Sequence, residues 1–205
     1  MSVAGRVFVV DDEAEVRKAL ERVLRASGLE VTTSASAEEF LACTEKLVSG
    51  CVVLDYQMPG VSGLELQQLL GARGGRWQIV FVSGQGDVPK TAQAMKAGAV
   101  DFLEKPADGA QLVAAVRRAL ERAARLDAEV DSVTQARVRV EKLSPREFEV
   151  MRHVIAGRLN KLIAASLGTA EKTVKIQRGA MMAKMGVRSV ADLVRLAAKA
   201  GVEPL

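Results

Sequence analysis

Short apolar runs, rich in Val, Ile and Phe, recur along the first 125 residues and alternate with longer segments of helical period. Val7 to Val10, Cys51 to Leu54, Ile79 to Val82 and Val100 to Leu103 read as strands buried on both faces, and Glu30 to Thr33 as a weaker fifth. Between them Val16, Leu20, Val23 and Leu24 mark one helical stripe, and Phe40, Leu41 and Leu47 a second. Leu64, Leu66, Leu69 and Leu70 mark a third, and Ala92 to Ala97 lie in a fourth. Alternating strands and helices predict an α/β fold, a parallel sheet with right-handed crossovers and helices on both faces.

The fifth helix begins after Pro106, and its pattern runs past the last strand-helix unit. Val116, Leu120, Ala123, Leu126, Val130 and Val133 follow spacings close to a coiled-coil seam, which fits either a dimerising helix or one packed back on its own domain. No Gly or Pro interrupts residues 110 to 144, so the connector is expected to be a stiff helix. Ser144, Pro145 and Glu147 then give a helix start: an N-cap, a proline at the first helical position and a capping-box acid. Breaks at Gly157, Gly168 and Gly186 divide the remainder into four short helices. The expected organisation is an α/β domain over 1–125, a helical linker over 126–142 and a small all-α domain over 143–205.

Charge sharpens this division. Residues 1–125 carry 15 Lys and Arg against 16 Asp and Glu, whereas residues 141–205 carry 12 against six. A basic module behind a nearly neutral one points to a polyanionic partner for the second domain. No stretch approaches the length of a membrane span, and the N-terminus does not read as a secretory signal, so a cytoplasmic protein without a membrane partner is expected. Cys43 and Cys51 form no metal-binding or disulfide pattern and read as two buried small hydrophobes.

The chemistry gathers where the apolar runs end. Asp11 and Asp12 follow the first run, Asp55 ends another, Ser83 follows the next, and Lys105 comes just after the last. In an open α/β sheet such positions share one edge. Taken singly, Asp11 and Asp12 would serve as a helix cap and first-turn acid, Lys105 and Pro106 as a turn, and Ser83 and Gly84 as a loop. Taken together, they suit phosphoryl acceptance by Asp55. Asp11, Asp12 and Asp55, with the backbone carbonyl of Gln57, form a ligand set for Mg²⁺. Lys105 and Ser83 would stabilise phosphoryl oxygens.

Residues 1–125 resemble the receiver domains of two-component response regulators. The resemblance rests on Val9 to Glu13, on Asp55 to Gly60, on Ser83-Gly84 and on Lys105-Pro106. The stretch from Ser83 through Gln85, Gly86 and Asp87 to Pro89, then Ala94 to Ala99, looks most like the FixJ type. It implies a flavodoxin-like, five-stranded parallel sheet in the order 2-1-3-4-5. It also implies that a sensor histidine kinase phosphorylates Asp55, that Ser83 and Lys105 read out the modification, and that Phe102 is the switch aromatic.

The basic module has helix-turn-helix grammar: Leu162, Ile163 and Leu167 on one short helix, Gly168 at the turn, then a helix carrying Lys172, Lys175, Arg178 and Lys184. Val174, Met181 and Met185 fall on the expected buried stripe, leaving Lys172, Lys175, Ile176 and Gly179 on the other face. Residues 143–200 resemble the LuxR-type DNA-binding domain, Lys184 to Ser189 and Leu193-Val194 included. The resemblance implies that Lys175, Ile176 and Gly179 face bases of double-stranded promoter DNA, and that Asn160, Lys161, Thr173, Arg178 and Lys184 contact phosphates. Ala170 stands where a capping Ser is common, Gln177 replaces a frequent His, and Ala180 a frequent Asn. His153 reads as a helix packing residue.

The chain therefore reads as a phosphorylation-switched transcriptional regulator that dimerises when phosphorylated and engages the transcription machinery. A phosphorylation-independent DNA binder, its receiver a dimerisation scaffold, stands as the alternative. An Mg²⁺-dependent phosphatase with an aspartyl nucleophile would need a second Asp at position 57, where this chain has Gln57.

Overall fold

The computed structural model describes residues 5–44, 49–74, 76–84 and 88–205. The chain divides into two compact units, Met1–Asp127 and Ala128–Leu205. The first unit alternates β1 (Arg6–Val10), α1 (Ala14–Ala26), β2 (Glu30–Ser34), α2 (Ala37–Cys43), β3 (Ser49–Asp55), α3 (Gly63–Ala72), β4 (Arg76–Ser83), α4 (Val88–Lys96) and β5 (Asp101–Glu104), and then enters α5 (Gly109–Glu141). All pairings are parallel, in the order β2-β1-β3-β4-β5. The register sets Val10 beside Leu54, Asp55 beside Val82 and Ser83 beside Glu104, so the strands bearing the acids, hydroxyl and lysine end together.

The three central strands are buried from their second or third residue onward, as uninterrupted Val-rich runs require. One face of the sheet packs Val7, Val9, Val53 and Val80 against Leu20 and Leu24 of α1 and Leu112, Val116 and Leu120 of α5. The other packs Phe8, Val52, Leu54 and Phe81 against Phe40 of α2, Leu66 and Leu70 of α3, and Ala94 of α4. Three expectations are corrected here. β5 is an edge strand and only half-buried, because among the described residues no strand lies beyond it. Leu69 is exposed, since α3 turns Leu66, Gln67 and Leu70 inward instead. Cys51 is fully buried, but Cys43 is exposed at the end of α2. Leu47, expected on the second helical stripe, lies outside the described residues, as do Gln85, Gly86 and Asp87.

The expected seam along α5 is not one continuous stripe. Val116, Leu120 and Ala123 are spent on the first unit's core, Leu126 is half-buried and Val130 exposed. In the second unit Ala136 is buried, and Val140 packs against the core of the following helices. These are α6 (Pro145–Ile155), α7 (Asn160–Ser166), α8 (Glu171–Met185) and α9 (Val190–Ala200). The capping box at α6 forms as the sequence requires: Ser144 accepts from the Glu147 N–H, Glu147 reaches back to the Ser144 N–H, and Pro145 occupies the first turn. Val174, Met181 and Met185 of α8 are fully buried with Ile163 and Leu193. Of the apolar residues Leu162 and Ile163 on α7, Ile163 is buried and Leu162 is exposed. His153 is buried within α6, as a packing residue should be. Among the described residues, no helix is long and apolar enough to cross a membrane.

Candidate functional site

At the C-terminal ends of the central strands, two buried acids face one ammonium. Lys105 Nζ lies 2.7 Å from Asp11 Oδ2 and 3.2 Å from Asp55 Oδ2, and also pairs with Glu13 at 3.1 Å. Asp12 is exposed beside them, and carboxylate oxygens of Asp11, Asp12 and Asp55 lie within 4.8 Å of one another. The acid pair does not serve as a helix cap. Glu13 holds the N-cap of α1 without a side-chain cap bond, and its N–H donates to Asp11 Oδ1 at 2.9 Å. Arg17 reaches back from α1 to the Asp11 carbonyl, fixing the loop at 2.6 Å. This donor set of three carboxylates suits a hard cation.

Asp55 is held by the turn that follows it. The Gln57 N–H points to Asp55 Oδ1 at 3.4 Å, and the Gly63 N–H donates to the Tyr56 carbonyl at 3.1 Å. Gly63 permits this close return of the chain: a Cβ there would lie 2.2 Å from the Asp55 carbonyl oxygen. Gly60 completes the turn at a positive φ of 77°. Burial raises the pKa of Asp55; the Lys105 ammonium opposes this rise, and the Asp11 charge adds to it. Burial also works against the charge on Lys105, but hydrogen bonding and attraction to Asp11, then Asp55 and Glu13, hold its pKa above the ordinary lysine value.

The other expected residues lie on the neighbouring strands β4 and β5. Ser83 is buried at the tip of β4, and its carbonyl accepts the Lys105 N–H at 2.8 Å, so the two residues are tied through the backbone. The Lys105-Pro106 peptide bond is cis. Phe102 is half-buried on β5, its ring 6.0 Å from both Tyr56 and Phe81. Tyr56 itself lies 5.6 Å from Phe81, edge to face. An aromatic path thus runs from the residue after Asp55 to the edge strand. Of the supporting groups, Glu13 and Tyr56 stood inside the recognised motifs without an assigned role. Gly63 could be found only from the tight turn that Pro59 and Gly60 announce.

In the second unit, α8 presents Lys172, Lys175, Ile176 and Gly179 to the surface, with Ile176 65% exposed. Ile176 is thus a large apolar side chain exposed beside Lys172 and Lys175. Thr173 is half-buried near the start of the helix, and Lys161 is exposed on α7. Three other expected contacts are engaged within the protein. Arg178 donates to Asn160 Oδ1 at 3.0 Å, joining α8 to α7, and Lys184 pairs with Glu147 at 2.6 Å. The Lys184 hydrogen bond, with the Ser144 N–H, holds the Glu147 carboxyl below the usual carboxylate range. Ala170 is the N-cap of α8 and supplies no side-chain bond.

Comparison with known proteins agrees with this geometry in both units. Residues 7–117 match the response regulator receiver domain family, and residues 141–197 match the luxR family of bacterial regulatory proteins. The transcriptional regulatory protein FixJ of Azorhizobium caulinodans is 44% identical over 97% of this chain and 94% of its own length. Nodulation protein W of Bradyrhizobium diazoefficiens is 45% identical over 98% of this chain and 88% of its own. The solved structure of the response regulator StyR superposes with a TM-score of 0.86 at 43% identity, covering 95% of this chain and 98% of that one. The chain belongs to the response regulators that join a receiver to a LuxR-type domain, and is a phosphorylation-switched, DNA-binding transcriptional regulator and not a classical enzyme.

Proposed function

We propose that Asp55 accepts the phosphoryl group, that a sensor histidine kinase supplies it, and that α8 carries the response to promoter DNA. One observation carries this reading: a single buried-side ammonium, Lys105, contacts both Asp11 and Asp55 where the strands end. An Asp55 carboxylate oxygen forms the new bond to phosphorus as the phosphorus–nitrogen bond of the donor phosphohistidine breaks, leaving an acyl phosphate on Asp55 and imidazole on the kinase. Asp11, Asp12 and Asp55, with the Gln57 carbonyl, would hold Mg²⁺, which when bound supplies positive charge against the phosphoryl oxygens.

Lys105 then exchanges a carboxylate partner for a phosphoryl oxygen, and the Ser83 hydroxyl donates to another. The added charge of about −1.5 to −2 is what both groups respond to. Drawing Ser83 inward gives the Phe102 ring room to turn, which repacks the surface of α4, β5 and α5. Lys175, Ile176 and Gly179 of α8 face bases in the major groove. Lys172 shares their outward face, and Asn160, Lys161, Thr173, Arg178 and Lys184 serve the backbone, with Arg178 and Lys184 reaching phosphates from their present partners. The phosphorylated protein is a homodimer on two half-sites, acting on the transcription machinery in the cytoplasm. Acetyl phosphate tests the acceptor: D55N should take up no phosphate, and uptake at the wild-type rate would overturn the assignment.

A further inference from the structure

Two residues ahead of the segment matched to the luxR family, the last turns of α5 reach the helix proposed to read DNA. Arg139 Nη1 donates to the Met185 carbonyl at 3.0 Å, at the C-terminal end of α8. A helix end leaves carbonyls without intrahelical partners. Gly186, left-handed at φ 66°, satisfies two of them through backbone N–H groups: its own to Ala183 and that of Val187 to Met182. The Arg139 guanidinium takes Met185 and places a cation at the negative end of the helix. It lies so close that a Cβ on Gly186 would approach its Nη1 to 3.2 Å. The same part of α5 is anchored on either side, through Val140 in the apolar core and through Ser132, whose hydroxyl accepts from Lys199 of α9 at 2.7 Å.

We infer that Arg139 is a positioning residue for DNA recognition, holding the C-terminal end of α8 so that its outer face meets the groove at one angle. The contacts of α8 with Asn160 and Glu147 come from within the helix-turn-helix module, whereas Arg139 ties it to the connector. The functional DNA-binding unit therefore starts before residue 143, in the final turns of α5. This inference rests on the proposed reading role of α8.

The experiment uses the full-length chain and duplexes selected from a random pool by the wild-type protein, with scrambled duplexes of equal length as controls. R139Q should weaken binding to selected DNA roughly fivefold to tenfold, less than the full contribution of a charge-assisted hydrogen bond because Arg139 acts on DNA only through α8. Binding to scrambled DNA, the dependence on salt and phosphate uptake from acetyl phosphate should stay at wild-type values. R139K, which keeps the cation but not the planar fork, should recover part of the loss and guards against a folding defect in R139Q. Equal losses on both duplexes with a shallower salt dependence would make Arg139 a phosphate contact and overturn the inference. Unchanged discrimination in both variants would overturn it as well. If the wild-type protein selects no sequence, the reading role of α8 itself fails, a result separate from any effect of Arg139.

Discussion

Lys105 neutralises acids that would otherwise repel one another at close range, and its removal has a calculable sign. K105M leaves Asp11 and Asp55 buried without their shared cation. Breaking such a pair from one side costs about 3 kcal/mol, so the receiver's denaturant midpoint should fall sharply. Adding D55N to K105M removes one of the stranded charges and should restore part of the loss; a double variant weaker than K105M would contradict this electrostatic account. His153 offers a second test at this scale. Burial, then the positive charge of Arg158, holds its pKa below the ordinary imidazole value. The fold thus favours the neutral ring. Its contribution is complete above the unfolded value of about 6.5 and is lost as pH falls through the lower folded value. Chemical denaturation between about pH 7.5 and pH 5 should show the second unit weakening with acid, and H153Q should flatten that slope.

Elements carry the division between stability and recognition. Met181 is fully buried in α8, so M181A should cost about 2–4 kcal/mol in a melt of the C-terminal unit. I176A on the same helix, like L162A on α7, removes an exposed side chain and should shift stability by less than about 0.5 kcal/mol. I176A should nevertheless reduce binding to selected DNA; an unchanged affinity would remove Ile176 from the interface. The strands were readable because short, uninterrupted Val-rich runs that alternate with helical segments suit a sheet covered on both faces, and the capping box at Ser144 is purely local. Periodicity could not say which of several apolar residues in a helix finds a neighbour. Leu69, Leu162 and Val130 share the apolar character of Leu66, Ile163 and Leu120, yet they face outward. The edge position of β5 likewise depends on strand order, which no single segment encodes. Within the site, acids, hydroxyl and lysine were visible at strand ends. The Gly63 return, the Glu13 contact and the Arg139 cap arise from residues distant in sequence or from backbone spacing, which composition does not record.

At the scale of the molecule, an acidic switch and a basic reader occupy separate units of one chain joined by the continuous helix α5. The basic excess beyond residue 140 makes DNA affinity a partly electrostatic quantity, with a salt slope of about −0.9 per phosphate neutralised. K175A should weaken binding to selected DNA more than to scrambled DNA; equal losses would assign Lys175 to the backbone. In the proposed reading the charge added at Asp55 joins the two units functionally, and the most direct measurement is an anisotropy titration of selected operator DNA with and without acetyl phosphate, on wild type and D55N in parallel. Wild-type affinity should rise roughly fivefold or more with acetyl phosphate while D55N stays at its unphosphorylated value. A D55N response equal to that of wild type, or a wild-type affinity indifferent to the phosphodonor, would contradict the proposed link between Asp55 and DNA.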